Sequence, residues 1–308
     1  MRRRRATVIA SLVFVISSIG SASLLERVDR LGTDATLNEV LFIWSPKLLK
    51  SLSLGHNGLL ANIYWTRVVQ YYGRHRHIDN SDFALLWPLL NITTQLDPHL
   101  IPAYQFGGTF LASPPPYGAG LPQRAIELVE FGIRNNPNDW HLYYDLGFIY
   151  YDLKDYGAAA DAFARGSRVP NAHPFLKIMA AQCAQHGGEP RTAQMLWSAV
   201  YETTKDKYIR ENAREHLLAL QADFEVQELE KIVAAFRQES GRYPSSFSEL
   251  AHVRKLPGIP IDPMGNPYQL DGEGRVFVLD PGNFPFIEKA LPPGYLPKPI
   301  PGTAKPRS

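Results

Sequence analysis

One cysteine, Cys183, occurs in 308 residues, which excludes an internal disulfide and any metal site built from several thiolates. Its expected role is packing. A clustered positive excess is also missing. The 32 Lys and Arg exceed the 30 Asp and Glu by two, and Arg2, Arg3, Arg4 and Arg5 alone account for that surplus, so the body lacks the basic balance of a nucleic-acid-binding protein. No GxSxG elbow, HExxH, phosphate loop, dinucleotide fingerprint or CxxCH is present, so catalysis has no foothold and neither a cofactor nor a metal is expected. The mean hydropathy of -0.20 excludes a polytopic membrane protein. What is abundant is punctuation: 25 Pro and 23 Gly predict two or three pieces rather than one seamless domain.

At the amino terminus, residues 6–25 form a run of 20 uncharged residues. As a helix its 20 residues span roughly 30 Å, enough to cross a bilayer once. The preceding arginines place that end inside and the remainder on the outer side. A cleaved signal peptide is the rival reading, because the strongly apolar part runs only from about Val8 to Ile19 and Gly20, Ser21 and Ala22 offer a cleavage site. Either way the body is expected outside the cytoplasm, on the periplasmic face of a bacterial inner membrane if the helix is kept.

The middle of the chain repeats itself. Within 139–192, Tyr143, Leu146, Gly147 and Tyr150 share one helix face, Lys154 and Asp155 form a turn, and Ala159, Phe163 and Gly166 line a second helix. One period further on, Ala193 and Trp197 stand in the places of Ala159 and Phe163, with Ala181 and Ala184 in those of Gly147 and Tyr150. One period back, Ala125 and Gly132 correspond to Ala159 and Gly166 and are followed by Pro137, while Gly108 corresponds to Gly147. The step from Gly108 to Gly147 is longer than that from Ala125 to Ala159, and the excess falls in the Pro-rich turn 113–120. A weaker copy places Trp65, Val68 and Tyr72 on a first helix and Leu86, Leu90 and Thr93 on a second.

This pattern resembles the tetratricopeptide unit, a helix pair of about 34 residues. The departures are Val129 and Leu90 at the usual aromatic position, no Leu-Gly in the first and last units, and Lys205 where a proline would close the last. The resemblance implies a mainly α, TPR-like helical-hairpin solenoid, in which hairpins that cannot bury their apolar faces alone stack on one another. It also implies a partner surface along the first helices. The corresponding positions are Gln70, Gln105, Thr109, Tyr144, Phe148, Tyr151, Gln182 and Gln185. They lack the Lys/Arg row with which similar proteins clamp a terminal carboxylate, so a ligand of that type is not expected. Packing against an adjoining helix or a folded-back terminal segment is the alternative for Tyr144, Phe148 and Tyr151.

The flanks differ in composition. Residues 26–60, with Leu49, Leu52 and Leu54 before a Gly55-His56-Asn57-Gly58 break, predict a short helix that caps the repeats of 61–222. From Tyr208 to Glu239 a long helix is expected, with an apolar stripe through Leu217, Leu220, Phe224, Leu229, Ile232, Val233 and Phe236, ended by Gly241. Then come Gly241-Arg242-Tyr243-Pro244, a short helix over 247–251, Asp262-Pro263-Met264-Gly265-Asn266-Pro267-Tyr268, and the alternating run 275–279. That order resembles the globular part of type II secretion major pseudopilins, with Met264 at the position where that family has Trp. The resemblance implies a shared local fold, a small α+β hairpin module within 223–290. Asp271, Glu273 and Asp280 are oxygen-bearing candidates there without the 12-residue calcium-loop pattern. Residues 291–308 form a Pro-rich tail.

The expected function is that of a membrane-anchored scaffold or adaptor in a bacterial envelope assembly, engaging protein partners and no nucleic acid. Two other functions compete with it: an accessory or structural subunit of a type II secretion or type IV pilus machine, and a carbohydrate-binding or hydrolytic envelope protein using the aromatic groove.

Overall fold

The computed structural model describes residue 17, residues 45–76 and residues 83–296. Among the described residues there are eleven α-helices and one two-stranded ribbon, so the fold is mainly α. No helix among them is long and apolar enough to cross a membrane. The expected span over 6–25 lies outside the described residues, apart from residue 17, as do 26–44 and the tail from 297.

The chain divides between Asp97 and Pro98 into two compact units. In the first, α1 (Pro46–Leu52), α2 (Asn57–His75) and α3 (Leu86–Leu96) pack together, α3 against each of the other two. The expected stripe Leu86, Leu90 and Thr93 is fully buried. On α2 the register differs from expectation by one position. Val68 is buried as predicted, but Tyr64 and Tyr71 rather than Trp65 and Tyr72 fill the interior, because the α2 face turned to α3 runs through 61, 64, 68 and 71 at spacings of 3 and 4. Leu49 anchors α1, whereas Leu52 and Leu54 stay exposed.

The second unit is a succession of antiparallel hairpins: α4 (Ile101–Ala112) with α5 (Pro122–Asn135), α6 (Trp140–Asp152) with α7 (Tyr156–Gly166), and α8 (Phe175–His186) with α9 (Pro190–Thr203). Sequence punctuation sets their ends. Pro102, Pro122 and Pro190 occupy first-turn positions, where the missing N–H costs nothing. Asp139 and Asp155 cap α6 and α7 by accepting the His141 and Ala158 backbone N–H groups. Consecutive hairpins touch through α5 and α6, α4 and α6, and α7 and α8.

The first two of these hairpins share contacts down to the atom. Tyr104 donates its hydroxyl to the Pro98 carbonyl at 3.0 Å, and Tyr143, at the equivalent place in the next hairpin, donates to the Pro137 carbonyl at 3.2 Å. A Cβ added at Gly132 would lie 2.8 Å from the Tyr104 ring, and one added at Gly166 would lie 2.6 Å from Tyr143 Cβ. Across each hairpin a glycine faces a knob, Gly108 opposite Val129 and Gly147 opposite Phe163. In the third hairpin Ala181 and Trp197 hold the corresponding places, both fully buried in one cluster. The loop 113–120 adds no break. It folds back so that Ala119 and Leu121 donate to the Phe110 and Leu111 carbonyls.

The last helix of the row, α10 (Lys207–Ser240), runs 34 residues and ends at Gly241, whose φ of 74° suits the left-handed cap. It passes without interruption through the expected boundary at 222 and 223. Its N-terminal half packs on α9, and its C-terminal half carries the terminal segment. That segment holds α11 (Phe247–His252) and an antiparallel ribbon of β1 (Gln269–Leu270) and β2 (Val276–Phe277), with Leu270 paired to Val276. The ribbon is shorter than the predicted run 275–279. Acids on α10 fasten it. Asp223 accepts the backbone N–H groups of Glu288, Lys289 and Ala290, Glu225 accepts the Tyr268 hydroxyl, and Glu230 accepts the Val276 N–H.

Candidate functional site

The α6 sequence Trp140-His-Leu-Tyr-Tyr-Asp-Leu-Gly-Phe sends Leu142, Tyr143, Leu146 and Gly147 inward. On the neighbouring face Trp140, Tyr144 and Phe148 recur every fourth residue, and Tyr151 follows one turn later. Their rings form a chain: Trp140 to Tyr144 at 6.4 Å, Tyr144 to Phe148 at 4.7 Å, Phe148 to Tyr151 at 6.2 Å. This chain is only partly free. Phe148 sits edge-on to the buried Phe163 at 5.3 Å, and Tyr144 contacts Phe163 and Phe175, so both belong to the margin of the core. Tyr151 is 36% exposed and leans on Tyr156.

This geometry separates residues that the sequence treats alike. Phe148→Ala is expected to lower stability by about 2 kcal/mol through lost packing on Phe163, whereas Tyr151→Ala changes it by about 0.5 kcal/mol or less. Urea unfolding of the two variants checks the difference.

A cavity of about 320 Å³ opens where α4, α6 and the start of α8 converge. Gln105, Trp140, Tyr144, Asp145, His173 and Phe175 line it, with His141 and Leu176. Asp145 is the one acid between Trp140 and Tyr151 in a helix that is otherwise apolar and aromatic there. Its Oδ2 is shielded from solvent and has no hydrogen-bond partner. Burial, reinforced by the nearby charge of Asp139, pushes its carboxyl up to about 7. Asp139 itself is committed to His141, accepting its backbone N–H at 3.0 Å and pairing with Nδ1 at 2.8 Å. His141 in turn stacks on Trp140 at 3.7 Å.

Of the positions expected to bind a partner, Gln105 and Tyr144 meet at this cavity. Phe148 and Tyr151 continue along α6 beside it. Thr109 is exposed on α4, its hydroxyl donating to the Gln105 carbonyl, and Gln182 is half-buried on α8; neither lines the cavity. Gln70 is exposed on α2, in the other unit. Gln185 does not belong to an open groove. It is 6% exposed and its amide is engaged inside the molecule: Oε1 accepts the Trp197 indole N–H at 3.3 Å and the His216 Nδ1–H at 2.8 Å, and Nε2 donates to the Phe286 carbonyl at 3.1 Å. The reason is that α10 and the 286–290 segment close over the α8 face on which it lies.

Asp145, Trp140, His173 and Phe175 are not among the expected positions. A lone acid inside an aromatic helical run is the available signal for Asp145. His173 lies in the loop before α8 and Phe175 is the first residue of that helix, where the repeat register gives no guidance.

A larger cavity of about 580 Å³ lies between the loop that follows α7 and the turn from α9 to α10, with Lys177, Thr203, Lys205 and Asp206 on its walls. The three acids considered for calcium are otherwise engaged or apart: Asp271 accepts the Glu273 and Arg275 backbone N–H groups and the Arg275 guanidinium, and Asp280 caps a short turn at Gly282. Among the described residues no three His, Cys, Asp or Glu side chains are grouped to hold a metal. Cys183 is buried and its thiol is pushed up to about 11 by that burial, which keeps it protonated and inert. No protein-family model matches the chain, and no curated protein matches it.

Proposed function

We propose that the chain is a tetratricopeptide-like adaptor, a solenoid of helical hairpins that holds a protein partner along the first helices of its second unit. One observation carries this reading: the first two hairpins repeat the same Tyr-to-Pro-carbonyl bond and the same glycine-against-knob contact, while the adjoining helix face carries an aromatic row at the margin of the core and a cavity beside it. Stacked hairpins without catalytic chemistry are suited to binding rather than turnover. The uncharged run at 6–25 supports a membrane tether, with the body outside the cytoplasm and the partner in a bacterial envelope assembly.

A photocrosslinker placed in turn at Thr109, Tyr151 and Gln182 of the full chain in cells tests this. The expected result is one common adduct from those first-helix positions and none from Gln123 or Met195, which lie on the second helices α5 and α9. Equal adducts from both sets would overturn it.

The second reading, a subunit of a secretion or pilus machine, draws on the terminal segment. A long helix with a glycine cap, a short helix, an Asp262-centred turn and a small ribbon follow one another in the order of the pseudopilin globular part. Enrichment of pseudopilins or their platform in crosslinked envelopes would favour it, and their absence removes it.

A further inference from the structure

We propose that the cavity between α4, α6 and the start of α8 binds an organic cation, and that in the adaptor reading, on which this step rests, the cation is the ammonium or guanidinium group of a Lys or Arg side chain of the partner protein. The walls are aromatic. Trp140, Tyr144 and Phe175 offer π faces and edges to a charge held among them, which is where a desolvated cation gains most from ring quadrupoles. The polar content has one sign. No Lys or Arg is among the described residues that line the cavity, Asp145 is its acid, and Asp139 adds negative field from nearby on the same segment.

Asp145 distinguishes this cavity from an ordinary hydrophobic dent. A carboxylate oxygen sheltered from water that no donor meets is costly when the group is ionised. A cation brought against the carboxylate supplies the missing charge and, with its N–H groups, the missing donors. An anion is repelled by the same group, and a neutral apolar side chain leaves the oxygen as costly as before. Gln105 at the rim adds an amide that can accept from the ligand's remaining N–H groups.

The groups facing Asp145 set how pH acts on this site. Asp139 and His141 lie at the start of its own helix, His173 on the segment entering α8, and Gln105 on α4 is neutral. Raising the pH from 6 to 8 ionises Asp145. That change favours a cation.

The test uses the purified full chain with ¹⁵N-labelled indoles, whose five Trp N–H signals are assigned at residue 140 by the loss of one in Trp140→Phe. N-acetyl-lysine methylamide and N-acetyl-arginine methylamide are expected to shift the Trp140 signal saturably, with Kd of roughly 1–10 mM that tightens from pH 6 to 8. The uncharged norleucine analogue is expected to leave it unmoved. Asp145→Asn is expected to weaken lysine binding at least about tenfold while the circular dichroism is kept. Trp140→Leu, followed by calorimetry, is a second variant that leaves the acid in place, and it too is expected to weaken lysine binding.

Equal binding of the lysine and norleucine analogues, no saturable shift, or unchanged affinity in Asp145→Asn would each overturn the proposal. Tetramethylammonium and putrescine form a separate arm, and tighter binding of these than of the lysine methylamide overturns assignment to a partner side chain. Loss of the first-helix crosslinks while lysine binding persists would sink the adaptor reading without touching the cation site.

Discussion

Gln185→Ala lowers the unfolding free energy by about 3 to 5 kcal/mol, an expected effect larger than the removal of one side chain from a helix surface would suggest. The amide is the hub of a buried polar junction. Trp197 and Phe286 stack on opposite sides of His216, at 3.9 and 3.6 Å and within about 11° of parallel, and Gln185 hydrogen-bonds to all three residues. Alanine leaves the Trp197 N–H, the His216 N–H and the Phe286 carbonyl unpartnered together. Each such group costs on the order of 1–3 kcal/mol where water does not replace the partner. The junction joins α8, α9 and α10 to a segment 101 residues further along, so its loss also frees residues 286–290. Urea unfolding measures the energy, and hydrogen exchange at Glu288, Lys289 and Ala290, whose N–H groups rest on Asp223, reports whether the segment detaches. Unchanged protection there would show that the three Asp223 bonds suffice without Gln185.

The same junction carries a pH signature. His216 donates from Nδ1, and its Nε2 has no partner, so a second proton would sit on a buried nitrogen facing no acceptor. Burial, with a smaller effect from His186, holds the imidazole down to about 3. Between its ordinary value of 6.5 and about 3 the unfolded chain therefore binds a proton that the native one refuses, and stability falls as pH drops through that window. Glu288 beside His186 and Asp223 on α10 are held above their ordinary range by burial and act with the opposite sign. The comparison that isolates the imidazole is with His216→Phe, which keeps a ring in the stack: its stability deficit at pH 7 shrinks on acidification toward pH 4.

These positions show what is legible in the sequence and what is not. Gly147, Phe163 and their counterparts in the neighbouring hairpins are readable because helix-against-helix packing is local and periodic, so small and large residues recur at fixed spacing. Gly241 is readable because a helix end needs a left-handed residue there. Gln185 is misplaced by the sequence for the converse reason. The register puts it on the partner-facing row, and no local pattern announces that Trp197, His216 and Phe286 converge on it from three other parts of the chain. Asp145 escapes notice because one acid beside Tyr144 is indistinguishable by spacing from a solvated one; only the enclosure by α4 and the start of α8 makes it costly. On α2, the shift from Trp65 and Tyr72 to Tyr64 and Tyr71 turns on which of two adjacent aromatic residues meets α3, a choice that a pattern tolerant of either does not make.

Gly147→Leu is expected to destabilise the second unit by about 4 kcal/mol, above the usual range of about 1–3 kcal/mol for overpacking. The Cβ alone would fall 2.5 Å from Phe163 Cε1, with Cζ and Cδ1 at 2.6 and 2.7 Å, closer than carbon atoms approach. Phe163 has no exposed surface and is flanked by Tyr144 and Phe148, so it cannot yield without moving the aromatic row. Replacing a helical glycine ordinarily gains about 0.5–1 kcal/mol of backbone entropy, too little to offset the clash. Gly108 provides the internal comparison: its added Cβ would meet Val129 Cγ2 at 2.9 Å, a smaller intrusion against a smaller knob, so Gly108→Ala should cost less than Gly147→Ala. Pairing Gly147→Ala with Phe163→Val reproduces the small-against-valine arrangement of the preceding hairpin. In a double-mutant cycle the two substitutions are expected to couple favourably by about 1–2 kcal/mol. Strict additivity would mean that Gly147 is required for some purpose other than admitting the Phe163 ring, and the equivalence of the two hairpins would lose its strongest physical support.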